Sequence, residues 1–204
     1  MLARMHAPTT LAAGTLALLA CQSGPAAADE PGPDVAVPTL HAAGLFTVMR
    51  GTEAVLWPDP FAFTEIDHWP HRYGEAFSKP PLFDTSRPAF EWDGDRWTTN
   101  VIGHGLLGSE LYLRARTCHF GWAGSLLFTA AASTTWEYVF EANGVRPSGQ
   151  DLVYTPLAGI VIGEARYQAW RAAAGIENRT LRTSLRILFD PLGEFERAAI
   201  GCGC

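Results

Sequence analysis

The 204-residue sequence lacks several features by which common function classes are recognised. It contains no Gly-rich phosphate loop, no HExxH zinc motif, no nucleophile elbow and no dinucleotide-binding fingerprint. It has no run of basic residues, and 21 acidic against 15 basic residues give a net charge of −6, which argues against a nucleic-acid partner. No segment alternates apolar and polar residues over more than a few positions, so an extended β-sheet is not expected. The sequence indicates no cofactor.

The N-terminus has the pattern of an export signal. The apolar run over residues 11–20 is shorter than the roughly 20 residues that a membrane-spanning helix needs. Leu18-Leu19-Ala20-Cys21 has the form of a lipobox, in which small residues admit the peptidase and the cysteine thiol accepts the lipid. The pattern predicts a bacterial lipoprotein that is cleaved and lipidated at Cys21. The alternative is an ordinary secretory signal that is cut near residues 26–28.

Composition divides the rest of the chain into three parts. Residues 22–40 are rich in Pro, Ala and Gly and predict a flexible tether from the membrane. Residues 41–97 are dense in aromatics and prolines, so we expect an irregular arm without a long helix. Residues 98–204 predict a small, mainly α-helical domain. Because Gln22 follows the cysteine, where Asp would favour retention at the inner membrane, the periplasmic side of the outer membrane is the expected location.

Neither the cysteines nor the paired histidines of the arm predict a metal site. Cys118, Cys202 and Cys204 follow the lipobox cysteine, and an oxidising envelope permits a disulfide. A bridge from Cys118 to the C-terminal tail and three reduced thiols both remain open. His68 and His71 have H-x-x-H spacing, but without further ligands this spacing is not a zinc arrangement, so surface histidines are expected.

The first helix of the domain is predicted over residues 101–116, with Asn100 as its N-cap. His104 and Gly108 lie four residues apart and therefore on one face. Glycine costs about 1 kcal/mol relative to alanine inside a helix, so its presence indicates that another backbone comes close. His104 is thus expected to point into a tightly packed contact.

Polar residues at four-residue intervals mark one face of each of the next two helices. In the helix predicted over residues 121–142, these are Ser133, Glu137 and Glu141. Glu137 is expected to be buried, whereas Glu141, near the helix end, is expected to face water. In the next helix the face carries Asp151, Thr155, Gly159 and Gly163.

The entry to that next helix also has a recognisable pattern. Ser148-x-x-Asp151 has the form of a capping box. Pro156 should kink or restart the helix. The glycines Gly108, Gly159 and Gly163 predict a seam of close helix contact, and Arg146 is available as a hydrogen-bond donor near it.

These segments together resemble a known family. WDGDRWTTNVIGHGLLGSELYLRAR, TWEYVFEA and RPSGQDLVYTPLAGIVIGE occur in the order found in the bacterial domain of unknown function DUF3943, and the resemblance covers about residues 90–195. The family pattern has Asn-x3-His-Pro; Asn100 and His104 match it, and Gly105 stands in place of the proline. A much weaker similarity connects the same order of residues with VanZ-like proteins. Neither resemblance implies a reaction.

Two hypotheses for function follow from these residues. In the first, a non-catalytic, lipid-anchored helical domain binds or organises an envelope protein or lipid, and its polar residues form a satisfied internal network. In the second, an envelope hydrolase or transferase acts on a lipid or cell-wall substrate, with His104, Glu137 and Asp151 as catalytic residues. Six further polar residues would support these three through a hydrogen-bond network: Asn100, Ser133, Glu141, Arg146, Ser148 and Thr155. An open pocket at the three residues would favour the enzyme, and a sealed core would favour the network.

We predict that Cys21→Ser leaves the protein unprocessed or free in the periplasm, because the substituted side chain has no thiol to accept the lipid. Metabolic labelling with an alkyne fatty acid, followed by cell fractionation, measures this. Cys118→Ser is the matched control and should keep the label. A wild-type protein without label would contradict the prediction.

Overall fold

The computed structural model describes residues 32–201 and residue 204. The predicted signal segment, Cys21, Cys202 and the first ten residues of the predicted tether lie outside the described residues. The mainly α prediction is confirmed: within the described ranges there is no strand, and one isolated parallel bridge joins Leu82 and Ser148. None of the helices described is both long and apolar enough to span a membrane.

The helices are numbered here in chain order. They are α1 (Ala36–Leu56), α2 (Pro58–Phe61), α3 (Trp69–Ser78), α4 (His104–Thr117), α5 (Trp122–Thr135), α6 (Asp151–Ala158), α7 (Glu164–Ala174), α8 (Arg179–Phe189) and α9 (Pro191–Ile200). A 3-10 turn over Phe63–His68 precedes α3. Wider π-helical turns over Thr98–Gly103, Trp136–Glu141 and Gly159–Gly163 run directly into or out of α4, α5 and α6.

The N-terminal arm differs from the expectation in its first part. Residues 36–56, predicted as the end of a tether and the start of an irregular arm, form the long helix α1. Pro38 lies in the first turn of α1, where the missing N–H would have no intrahelical partner in any case. The prolines that exclude a long helix begin only at Pro58, so the short helices and turns after it agree with the prediction.

Helix α4 is the centre of the domain. It is buried along most of its length and contacts α1, α5, α6, α7 and the turn Gly159–Gly163. Its apolar face packs Leu107 and Leu111 against Phe46 of α1 and Trp136. The rings of Phe46 and Trp136 lie 5.5 Å apart in a tilted arrangement. The arm therefore contributes directly to the core.

Three glycines bring α4 and the α6 segment into backbone contact. A Cβ atom on Gly108 would collide with the carbonyl oxygen of Thr155. A Cβ on Gly159 would lie 2.8 Å from the oxygen of Gly108, and one on Gly163 would lie 2.9 Å from the oxygen of Ser109. Real Cβ atoms do not approach oxygen this closely, so the contact requires glycine. The helix continues through Pro156 and widens into the π-helical turn three residues later.

A buried ion network on another face of α4 was not expected from the sequence. Arg114 contacts Asp190 at 3.1 Å and Glu110 at 3.4 Å, and Glu110 also pairs with Arg166 of α7 at 2.7 Å. His41 of α1 joins Glu110 at 3.4 Å. The network connects α1, α4, α7 and the C-terminal helices, because Asp190 also caps α9 through the Gly193 N–H.

The C-terminal part of the chain is helical and is tied to α4. Helix α9 follows α8 directly after Asp190, with Pro191 in its first turn. Cys118 at the end of α4 forms a disulfide with Cys204. Of the two states left open by the sequence, the structure has the bridge to the tail.

We expect Gly108→Ala to destabilise the domain, because the new methyl group meets the Thr155 carbonyl. Overpacking of this kind costs about 1–3 kcal/mol. Gly103→Ala is the matched control: no atom lies within 4 Å of its added Cβ, and alanine favours the helix. Thermal unfolding followed by circular dichroism should show a fall of several degrees only for Gly108→Ala. Equal melting temperatures for the two variants would contradict the glycine seam.

We also expect the domain to lose stability in acid through Glu110. Burial alone would raise the pKa of Glu110, but His41 and Arg166 outweigh it and lower the pKa to about 2. A carboxylate with a lowered pKa stabilises the fold above its unfolded value near 4.5, and this contribution is lost as the pH falls from there to about 2. Glu110→Gln should therefore reduce the slope of stability against pH in this range.

The measurement is denaturant unfolding at pH 7, 4.5 and 3. Glu177→Gln is the control, since Glu177 is exposed and forms no ion pair with the described residues. At pH 7, Glu110→Gln removes the carboxylate that pairs with Arg166 and one of the carboxylates beside the buried Arg114, and it should cost about 3 kcal/mol. If stability depended on pH in Glu110→Gln as it does in the wild type, the Glu110 network would not be the source of the acid sensitivity.

Candidate functional site

The three residues proposed from the sequence as a centre come together where three helices meet. His104 begins α4, Glu137 lies in the turn after α5, and Asp151 begins α6. Their exposed fractions are 6%, 1% and 2%. His104 Nε2 lies 3.5 Å from Asp151 Oδ2, and His104 Nδ1 lies 3.0 Å from Thr155 Oγ1. The contact at Gly108, one turn further along α4, sets the position of α4 relative to the α6 segment.

Ser148 connects the two acids. The Glu137 Oε2 atom accepts the Ser148 N–H at 2.7 Å, and Ser148 Oγ accepts the Asp151 N–H at 3.1 Å. Ser148 Oγ therefore accepts the N–H of the first residue of α6, as the predicted capping box requires, although Gln150 occupies the N-cap position. The return bond of the capping box comes from Glu137 on another helix rather than from Asp151. Ser133 approaches the same place and donates to the Asp151 carbonyl oxygen at 3.4 Å.

The turn before α4 supplies residues that the sequence analysis missed. Asp93 accepts hydrogen bonds from Ser148 Oγ at 2.6 Å and from Asn100 Nδ2 at 2.8 Å. Asn100 also donates to the Phe90 carbonyl oxygen, and its side chain caps no helix, so the N-cap prediction was wrong. Asn100 is fully buried and fixes the Asp-Gly turn instead. In the sequence, the pair Asp93-Gly94 indicates a turn, but it does not show where that turn lies relative to the helices.

Glu141 is also part of the site, contrary to the expectation that it faces water. It is 9% exposed, because the turn over Trp136–Glu141 is wider than an α-helix and carries its last residues inward. A cavity of about 60 Å³ adjoins these side chains. Its polar lining consists of Asp93, Asp95, Glu137, Glu141, Arg146, Ser148 and Asp151. Arg146 forms no ion pair with the residues that the structure describes.

Burial keeps His104, Glu137 and Asp151 uncharged near pH 7. Desolvation lowers the pKa of His104 to about 4, so its ring is uncharged. Desolvation and the neighbouring acids raise the pKa of Glu137 to about 8 and that of Asp151 to about 9, and they also raise the pKa of Glu141. Asp93 differs: burial would raise its pKa, but hydrogen bonds from Ser148 and Asn100 outweigh it and lower the pKa. Asp93 is thus the ionised member of the group.

Two carboxyl oxygens of the centre have no hydrogen-bond partner among the described residues. They are Glu137 Oε1 and Asp151 Oδ1, and both side chains line the cavity. One ligand atom each from His104, Glu137 and Glu141 lies within 4.8 Å of the others. The centre can therefore exchange protons among its own groups or hold a cation. The paired histidines of the arm take no part, since His68 and His71 have side chains 66% and 79% exposed, as expected.

The fold and the site define a class: a helical domain with a buried histidine–carboxylate centre between three helices. The family described as "Domain of unknown function (DUF3943)" matches residues 89–192, which include the whole centre. The chain belongs to this family, as the sequence motifs predicted. Comparisons with curated proteins and with solved structures give no match.

Proposed function

We propose that the protein is a lipid-anchored protein of the bacterial envelope, and that its helical domain binds or organises a partner there without catalysis. The lipobox at Cys21 supports the anchor. The deep burial of the three residues of the centre supports the absence of catalysis. His104, Glu137 and Asp151 are too deeply buried for a substrate to reach them in this conformation.

The size of the cavity is the second part of this argument. Small-molecule sites usually have volumes of about 300 Å³ or more. The cavity at the centre, at about 60 Å³, has room for a few water molecules or an ion. A lipid or cell-wall substrate does not fit there. The raised pKa values of Glu137 and Asp151 do not favour catalysis by themselves, because burial accounts for them.

The outer side of the α6 segment supports a binding role. Asp151, Thr155 and the two glycines face α4, and the opposite side carries Val153, Leu157 and Val161 with more than half of each side chain exposed. Contiguous apolar surface of this kind is typical of contact surfaces in soluble domains. The buried centre then has a structural task, which is to hold the helix that presents this side.

We expect His104 to be protected from diethyl pyrocarbonate while the exposed His68 and His71 react, with modification measured by peptide mass spectrometry. We also expect His104→Ala to lower the melting temperature, because it strands the buried Asp151 at a cost of about 1–3 kcal/mol. His71→Ala is the matched control and should melt like the wild type. Rapid modification of His104, together with an unchanged melting temperature in His104→Ala, would favour the enzyme hypothesis over this proposal.

A further inference from the structure

We propose that His104, Glu137 and Glu141 bind one divalent transition-metal cation, such as Zn²⁺ or Mn²⁺, with Asp151 beside it. The inference rests on the proposed function in one respect: a cation in a buried centre stabilises the fold and does not act on a substrate. The sequence indicated no metal site, because the three residues come from two distant segments that match no metal-binding spacing.

The first support is the imbalance of charged groups around the cavity. Five carboxyl groups line it, from Asp93, Asp95, Glu137, Glu141 and Asp151. Arg146 is the one basic side chain in that lining, and within the described part of the chain it pairs with none of them. Glu137, Glu141 and Asp151 are buried. Acidic side chains are rarely buried unless they are paired or coordinate a metal. A bound cation would supply the missing partner.

The second support is the placement of the ligand atoms. Glu137 and Glu141 are four residues apart in one helical turn, a spacing that puts two ligands on the same face. Together with a His104 nitrogen, their oxygens lie within 4.8 Å of one another. Ligand atoms around a tetrahedral ion with bonds of about 2.1 Å are about 3.4 Å apart. Rotamer adjustments of about 1 Å are enough to close this distance.

The third support is the state of the histidine. His104 Nδ1 is 3.0 Å from Thr155 Oγ1, a hydrogen bond that orients the ring. In the tautomer that donates Nδ1–H to Thr155, Nε2 keeps its lone pair, and this nitrogen lies 3.5 Å from Asp151 Oδ2. Metal-binding histidines are ordinarily held through their second nitrogen in this way.

The fourth support is the unpartnered oxygen of Glu137. Its Oε2 atom accepts the Ser148 N–H, whereas its buried Oε1 atom has no partner among the described residues. A buried polar atom without a partner is costly in either protonation state of the acid. Coordination satisfies Oε1 and leaves the bond to Ser148 intact.

The donor set selects the kind of metal. Imidazole nitrogen suits Zn²⁺ and related transition metals, and carboxylates also suit Mn²⁺. Mg²⁺ and Ca²⁺ prefer shells made only of oxygen. We therefore expect binding of Zn²⁺ or Mn²⁺ that excess Mg²⁺ does not displace.

The test is metal binding by the full-length protein after EDTA treatment. Equilibrium dialysis with Zn²⁺ and with Mn²⁺, followed by elemental analysis, gives the stoichiometry and affinity. His68→Ala/His71→Ala is used as the background, which removes the exposed histidine pair. We expect one ion per chain, and Glu141→Gln should weaken its binding about tenfold or more. Glu177→Gln, on the surface, is the matched control and should bind like the background protein.

Glu141→Gln is the decisive variant, because the Glu141 carboxylate forms no hydrogen bond with the described residues and its loss should spare the metal-free fold. Circular dichroism in EDTA checks this. Zn²⁺ should raise the melting temperature of the background protein and not that of Glu141→Gln. If Glu141→Gln does not fold, His104→Ala at low temperature replaces it. No binding by the background protein, or equal binding by Glu141→Gln, would overturn the inference. Protection of His104 from modification would still stand, so the two proposals fail separately.

Discussion

The backbone contact between α4 and the α6 segment is the constraint on which the rest of the structure depends. At Gly108 the two helices touch without side chains between them, and Gly159 and Gly163 extend the contact along α4. The helices run in the same direction across it. One turn before the contact therefore lie His104 on one helix and Asp151 on the other. The position of the candidate site follows from where the glycines permit close approach.

Close approach also determines the electrostatics of the site. Glu137 and Asp151 are buried between the helices, so charge on either acid is disfavoured and the pKa of each is raised. The turn before α4 closes one side and contributes Asp93, which stays ionised because Ser148 and Asn100 donate to it. The site is thus a set of neutral acids beside one stabilised carboxylate.

Most of what could be predicted from the sequence came from the four-residue spacing of polar residues and glycines along the helices. It placed His104, Glu137 and Asp151 on inward faces, and it identified the glycine seam, because helical periodicity is a local property of the chain. It placed Glu141 on the same face but could not give the burial of this residue near the helix end, nor the role of Asn100, whose partners come from a preceding loop. Helix α1 was missed because the irregular arm was predicted from its prolines as a whole. Those prolines begin at Pro58, after the end of α1.

Two buried groups of polar residues lie along α4, and the acids in them are stabilised in different ways. Around Glu110 the chain provides its own cations, Arg114 and Arg166, and the pKa of Glu110 falls to about 2. Around Glu137 the described residues provide no paired cation, and the pKa rises instead to about 8. Both acids lie in the same fold at similar depth, so burial alone does not explain the contrast. What differs is the supply of positive charge: Arg146 lines the second centre without pairing with its acids, so a proton or, as we propose, a bound metal ion provides it.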